Sequence, residues 1–88
     1  LVKFFAPWCP HCQHLTAPYN QLAESYRNDP NVVIAEVNVN EQHSLGKQEG
    51  IQFIPVFKFY PVGEKWSDFV NCGHSYDEMR AYVEKNRR

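Results

Sequence analysis

The sequence predicts an α/β domain, a mixed sheet covered by helices on both faces, and two observations carry that prediction. Short apolar runs rich in β-branched and aromatic residues alternate with helical stretches in the order β-α-β-α-β-β-α. Crossovers of that kind place helices between strands and wrap them against the sheet. The size suits one such layered core: 88 residues, 43% hydrophobic and 22% charged, exclude disorder and leave too little chain for a second domain.

Each element has its own signal. Leu1 to Ala6 reads as a buried strand with Lys3 as its one discordant residue. From Pro10 the pattern turns helical, with Leu15, Tyr19, Leu22, Ala23 and Tyr26 on one apolar face. Pro18 falls inside that helix and should kink it, since it lacks an amide donor and crowds the preceding turn. Asn28-Asp29-Pro30-Asn31 is a turn, and Val32 to Val39 is a second buried strand interrupted by Glu36. Glu41 to Gln48 reads as a short helix ended by Gly50. Ile54 to Tyr60 is a strand, and Pro61 to Glu64 turns the chain into a short strand at Trp66 to Val70, as in a hairpin. Ser75 with Glu78 three residues on is a capping-box signal that opens a last helix carrying Met79, Tyr82 and Val83.

Charge and composition narrow the function. Nine basic and ten acidic side chains are scattered along the chain, giving a net charge of -1. No basic stripe is available to follow a phosphate backbone, so nucleic acid is not an expected partner. No apolar stretch approaches the ~20 residues that span a bilayer, so this domain is expected to make no membrane contact of its own. The three cysteines are too few for the dense disulfide framework of small secreted domains. The chain starts abruptly inside an apolar strand, so residues 1–88 are expected to be one domain of a longer protein.

The chemistry is concentrated at Cys9-Pro10-His11-Cys12. Two cysteines at i and i+3 on a first helical turn can close a small disulfide with little rearrangement. The free amides and dipole of a helix start favour a thiolate there. Cys9 is expected to be the exposed nucleophile. Cys12, one turn in, is expected to resolve the mixed disulfide and release the substrate. Pro10 occupies an early helical position at no hydrogen-bond cost. His11 sets an imidazole beside the thiolate, which makes Cys9 a better leaving group and the pair more oxidising. Trp8 is expected to shield one side. A lone CxxC also fits half a zinc site, but the other ligands would have to come from Cys72 and a scattered histidine, with no second close pair.

Phe5-Ala6-Pro7-Trp8-Cys9-Pro10-His11-Cys12 resembles the active-site segment of thioredoxin-fold domains, and most of all the catalytic domains of protein disulfide isomerases. The likeness continues through Val33 to Val37, Gly50 to Pro55, Phe57 to Tyr60 and the Gly73 region. It implies a thioredoxin fold, a three-layer α/β/α arrangement with a mixed central sheet, here without the family's usual first strand and helix. It also implies that Ile54-Pro55 is a cis bond facing the cysteines, with that loop holding the substrate chain. Substrate would then lie against Trp8, Ile54, Pro55 and Gly73.

The chain departs from the family pattern at the site itself. Isomerases usually carry glycine where Pro10 stands, and Cys-Pro-His-Cys is similar to the tetrapeptide of strongly oxidising bacterial periplasmic thiol oxidases. The family's buried acid beneath the second cysteine matches Lys3, and its lysine partner matches Glu36, so the charges are exchanged. The two are expected to pair under the site, because either buried alone would be expensive. Glu36, or neutral Lys3, would then take the proton from the resolving thiol. The family's helix-kinking proline matches Ala17, one residue before Pro18. His74 stands where isomerases have an arginine that can swing toward the site, and would act there only weakly and with pH. His14 and His43 read as surface residues, Cys72 as a buried thiol, and Phe4, Phe5, Phe53, Phe57, Phe59 and Tyr60 as core and rim packing.

The sequence thus reads as a thiol:disulfide oxidoreductase domain that uses no bound cofactor or metal and acts on cysteine-containing protein substrates. Glutathione or an upstream thiol oxidase would be its electron partner, in the endoplasmic reticulum lumen or the secretory pathway. Two other readings use the same fold. One is an electron relay within a larger sulfhydryl oxidase or membrane-anchored oxidoreductase; the other is a substrate-binding or chaperone module with little turnover.

Overall fold

The computed structural model describes residues 1–60 and 69–87. Its elements are β1 (Val2–Phe5), α1 (Pro10–Ser25), β2 (Ala35–Asn38), α2 (His43–Gln48), β3 (Val56–Lys58), β4 (Phe69–Val70) and α3 (Tyr76–Asn86). The four strands form one sheet in the order β2-β1-β3-β4. β1 runs parallel to β2 and antiparallel to β3, and β3 runs antiparallel to β4. The mixed sheet expected from the sequence is therefore present.

Strand alternation sorts β1 and β3 onto two faces. Lys3 is opposite Phe57, and on that side α1 and α3 pack through Leu15, Tyr19, Leu22, Met79 and Val83, all buried. The Tyr19 and Phe57 rings meet with centroids 5.9 Å apart. Phe4 and Val56 face the other way and are buried too. Lys58 shares that second face, and its ammonium donates to the Glu49 carbonyl at 2.9 Å and to its carboxylate at 3.1 Å. Glu49 caps the C-terminus of α2, so α2 covers the face that α1 and α3 leave open. The buried Lys58 pair is a feature that sequence reading did not single out.

The helix ends follow their sequence signals. Gly50 sits at φ +72°, with its amide on the Lys47 carbonyl while the Ile51 amide reaches the Gly46 carbonyl. This is a Schellman ending, which needs a residue free to enter the left-handed region. Ser75 caps α3, accepting the Glu78 amide at 3.2 Å and donating its hydroxyl to the Glu78 carboxylate at 2.9 Å. Pro18 stands inside α1.

Three elements are shorter than expected. β2 begins at Ala35 rather than Val32, because its ladder partner β1 is only four residues long. α2 begins at His43 rather than Glu41, because the Asn40 amide is held by the Asn38 side chain and the Glu41 and Gln42 amides by the Asn38 carbonyl. β3 begins after Pro55, which has no amide to give a ladder. The expected turn at Pro61 to Glu64 and the strand residues Trp66 to Asp68 lie outside the described residues. The end of that strand is seen as β4.

Candidate active site

The site is built where β1 hands over to α1. Cys9 is the N-cap of α1, with extended backbone, and its sulphur accepts the Cys12 amide at 3.2 Å. A side chain that caps a helix turns back over the first turn. The consequence corrects one expectation: Cys9 is not open to solvent but 5% exposed. Cys12, inside the first turn, is 2% exposed. Both are free thiols. Pro10 occupies the start of the helix as expected, and His11 is exposed beside it. Trp8, next to Cys9 in the chain, is 67% exposed.

The surroundings of Cys12 disfavour its thiolate. Burial, and then side-chain hydrogen bonding with Cys9, pushes the Cys12 thiol up to about 11. The Ala6 backbone and the positive charge of Lys3 act in the opposite direction. Lys3 is 2% exposed, yet its ammonium finds partners: the Glu36 carboxylate at 3.2 Å and the faces of the Tyr19 and Phe5 rings at 4.7 Å and 5.1 Å. Their register explains the pair, since Lys3 and Glu36 are opposite one another on adjacent parallel strands. Lys3 therefore does not snorkel to water. Glu36 does reach it, with its side chain 47% exposed.

The loop before β3 supplies the facing wall. The Ile54-Pro55 bond is cis, as the resemblance implied. Pro55 lines a cavity of about 190 Å³ together with His11, His14 and Leu15 of α1 and His74 of the loop leading to α3. It also lines a second cavity of about 350 Å³, with Gly73 and His74 on one side and the exposed rings of Phe53 and Phe69 at its rim. Gly73 has φ +82°, and a Cβ there would collide with Glu78. Of the expected substrate-binding set, Pro55, Gly73 and His74 come together; Trp8 and Ile54 line neither cavity.

His14 is a surface residue, as expected, and because it follows His11 by one turn it also lines the cavity; that spacing is visible in the sequence. Cys72 is buried as expected. Its thiol lies 3.9 Å from the Gly73 carbonyl and is pushed up to about 11, chiefly by burial.

Comparison with known proteins agrees with this geometry. The thioredoxin family model matches residues 1–85. The chain is 36% identical over 83 residues to protein disulfide isomerase-like 2-1 of Oryza sativa subsp. japonica, covering 94% of this chain and 23% of that protein. It therefore spans less than a quarter of that relative's length. Against the thioredoxin of Geodia cydonium it is 33% identical over 87 residues, covering 99% of this chain and 78% of that one. It is similar to the solved structure of the first two thioredoxin domains of Saccharomyces cerevisiae Eps1p, with a TM-score of 0.77 and 26% identity, covering 93% of this chain and 32% of that one. A family match over nearly every residue, joined to a relative matched over most of its own length, places the chain: it belongs to the thioredoxin family.

Proposed function

We propose that this domain forms, reduces or isomerises disulfides in cysteine-containing protein substrates, through Cys9 and Cys12. One observation carries the reading: Cys9 caps α1 with its sulphur on the Cys12 amide, while Cys12 holds its proton more tightly than an ordinary thiol. That asymmetry suits one thiol to attack and the other to wait. The Cys9 thiolate attacks one sulphur of a substrate disulfide, forming a Cys9–substrate bond and releasing the other substrate sulphur as a thiolate. Cys12 then loses its proton and attacks Cys9. The Cys9–Cys12 bond forms, the mixed disulfide breaks, and the second substrate thiolate leaves. The substrate disulfide has gained two electrons and the domain has lost them; run backwards, the same steps oxidise a substrate dithiol.

Lys3 and Glu36 are positioning residues in this scheme. A buried cation beneath Cys12 offsets part of the cost of forming its thiolate. Glu36 holds that cation in place and offers the released proton a route to water. Pro55, Gly73, Ile54 and the exposed Trp8 present the surface along which the substrate chain lies, with His74 beside it. Pro10 and His11 tune the strength of the couple. Glutathione or an upstream thiol oxidase would exchange electrons with the pair. The isomerase names of the relatives, and the oxidising compartment that substrate disulfides need, support a place in the endoplasmic reticulum lumen or secretory pathway.

The test is a trapping experiment. The Cys12→Ser chain, mixed with a peptide disulfide, should accumulate a mixed disulfide located on Cys9 by mass analysis. Cys9→Ser should form none at Cys12 at neutral pH. Trapping at Cys12 or Cys72 instead would refute the assignment.

A further inference from the structure

The small cavity between α1, the cis-proline loop and the approach to α3 has an unusual lining. Three of its five residues are histidines, and none is acidic. His11 and His14 are one turn apart on α1, and His74 faces them from the loop before α3, over a floor of Leu15 and Pro55. Among the described residues no three His, Cys, Asp or Glu side chains gather closely enough to hold a metal ion. The imidazoles therefore ring a space instead of converging on a point. At about 190 Å³ that space has the volume of about six waters, room for a carboxylate and a short methylene stem. Each ring can offer an N–H donor whether neutral or charged.

The other charged groups nearby do not fill the cavity with a competing anion. At the start of α1 stand Cys9 and Cys12. Beside His74, Glu78 is engaged by Ser75 through both its amide and its carboxylate. On the sheet, Lys3 and Glu36 are paired with each other. Lys58 is held by Glu49 on the opposite face.

We infer that His11, His14 and His74 form a carboxylate subsite at the first turns of α1, beginning two residues after its N-cap Cys9, which favours disulfides bearing an anionic group close to the reacting sulphur. Two sources carry that chemistry: glutathione disulfide, and a protein disulfide with an acidic residue beside its cysteine. The inference rests on the reading of Cys9 as the attacking thiol.

Two alkylating agents of the same shape give the direct test. Iodoacetate carries a carboxylate and iodoacetamide does not, so the ratio of their rates at Cys9, read by mass on the Cys9 peptide, cancels the thiolate fraction. One added charge at about 7 Å in water-like surroundings changes an anion's local concentration about threefold. Three such rings should therefore raise the ratio in the 88-residue chain roughly thirtyfold from pH 8 to pH 5.5. The double variant His14→Gln/His74→Gln should keep about threefold or less of that rise. His43→Gln, on α2 and outside the cavity, should match the unaltered chain. A rise below about twofold, or a double variant that tracks the parent, would overturn the subsite.

Exchange rates then identify the occupant. Glutathione disulfide is compared with its tetramethyl ester, and a peptide disulfide flanked by Glu with its Gln counterpart. A preference for the anion in either arm supports the subsite and names its ligand; no preference in both overturns it. Failure of the oxidoreductase reading looks different. Cys9 would then react with iodoacetamide no faster than a free cysteine, while the pH-dependent ratio survived.

Discussion

Lys3 and Glu36 form an ion pair whose two ends live in different surroundings, so removing one end is not equivalent to removing the other. In Glu36→Gln the Lys3 ammonium stays 2% exposed and keeps only its aromatic faces at 4.7 Å and 5.1 Å. Breaking a fully buried pair costs about 3–5 kcal/mol and a surface pair about 0–1 kcal/mol. With Glu36 47% exposed, an intermediate loss of about 2 kcal/mol is expected. Lys3→Met keeps the stem volume, removes the buried charge and returns Glu36 to water, where it needs no partner. That change should be neutral or stabilise by about 1 kcal/mol, after allowing for the lost ring contacts. With a urea m-value of about 1 kcal/mol/M for a small domain, the midpoint should fall by about 2 M in Glu36→Gln and stay level or rise by up to about 1 M in Lys3→Met. Urea titration followed by Trp fluorescence reads both. If Lys3→Met were the more damaging change, the argument from unequal burial would be wrong. The same variant carries a functional readout: without the cation beneath it, Cys12 should resolve a mixed disulfide more slowly, although the protein is no less stable.

Three further outcomes follow from particular contacts. Cys12 and Cys72 are both raised to about 11 from an ordinary 9. The unfolded chain therefore sheds those protons first, and stability present below about pH 9 should decline as pH rises toward 11. Urea midpoints measured from pH 8 to pH 11 should fall steadily; a flat profile would contradict the assigned burial of both thiols. Gly73→Ala forces a side chain into φ +82° and against Glu78, so it should cost about 1–3 kcal/mol. Gly50→Ala, with open space around it, should cost less, and equal losses at the two positions would show that the clash is relieved. Ser75→Ala removes the cap of α3 and should lower stability by about 1 kcal/mol; no change in thermal midpoint would mean that Glu78 caps the helix without it.

What could be read in advance was what depends on neighbours along the chain. The apolar spacing of Leu15, Tyr19 and Leu22 foretold the buried face of α1, and Ser75 with Glu78 foretold the start of α3. The Lys3–Glu36 pair was accessible as well, because each is the single charge in an otherwise apolar strand and charges so placed must find one another. Less legible were properties set by distant segments. The burial of Cys9 follows from its sulphur turning back to cap α1, and spacing alone does not reveal that orientation. The start of β2 was overestimated because Val32 to Ile34 are as apolar as a strand, while the ladder length is decided by β1. His14 is the surface residue its sequence context predicts, and only the fold brings residues 55 and 74 to face it. Lys58 was overlooked for the same reason: its partner Glu49 caps another helix.

The reduction potential of the Cys9–Cys12 pair tests the central claim most directly. Equilibration of the chain against glutathione, acid quench and mass analysis of the Cys9–Cys12 segment would give it. With Pro10 and His11 between the sulphurs, the account predicts a value near about -120 to -150 mV, in the range of a strong disulfide donor. A value near about -180 mV or more negative would contradict oxidase-like strength, and failure of Cys9 and Cys12 to equilibrate with glutathione at all would contradict the redox centre itself.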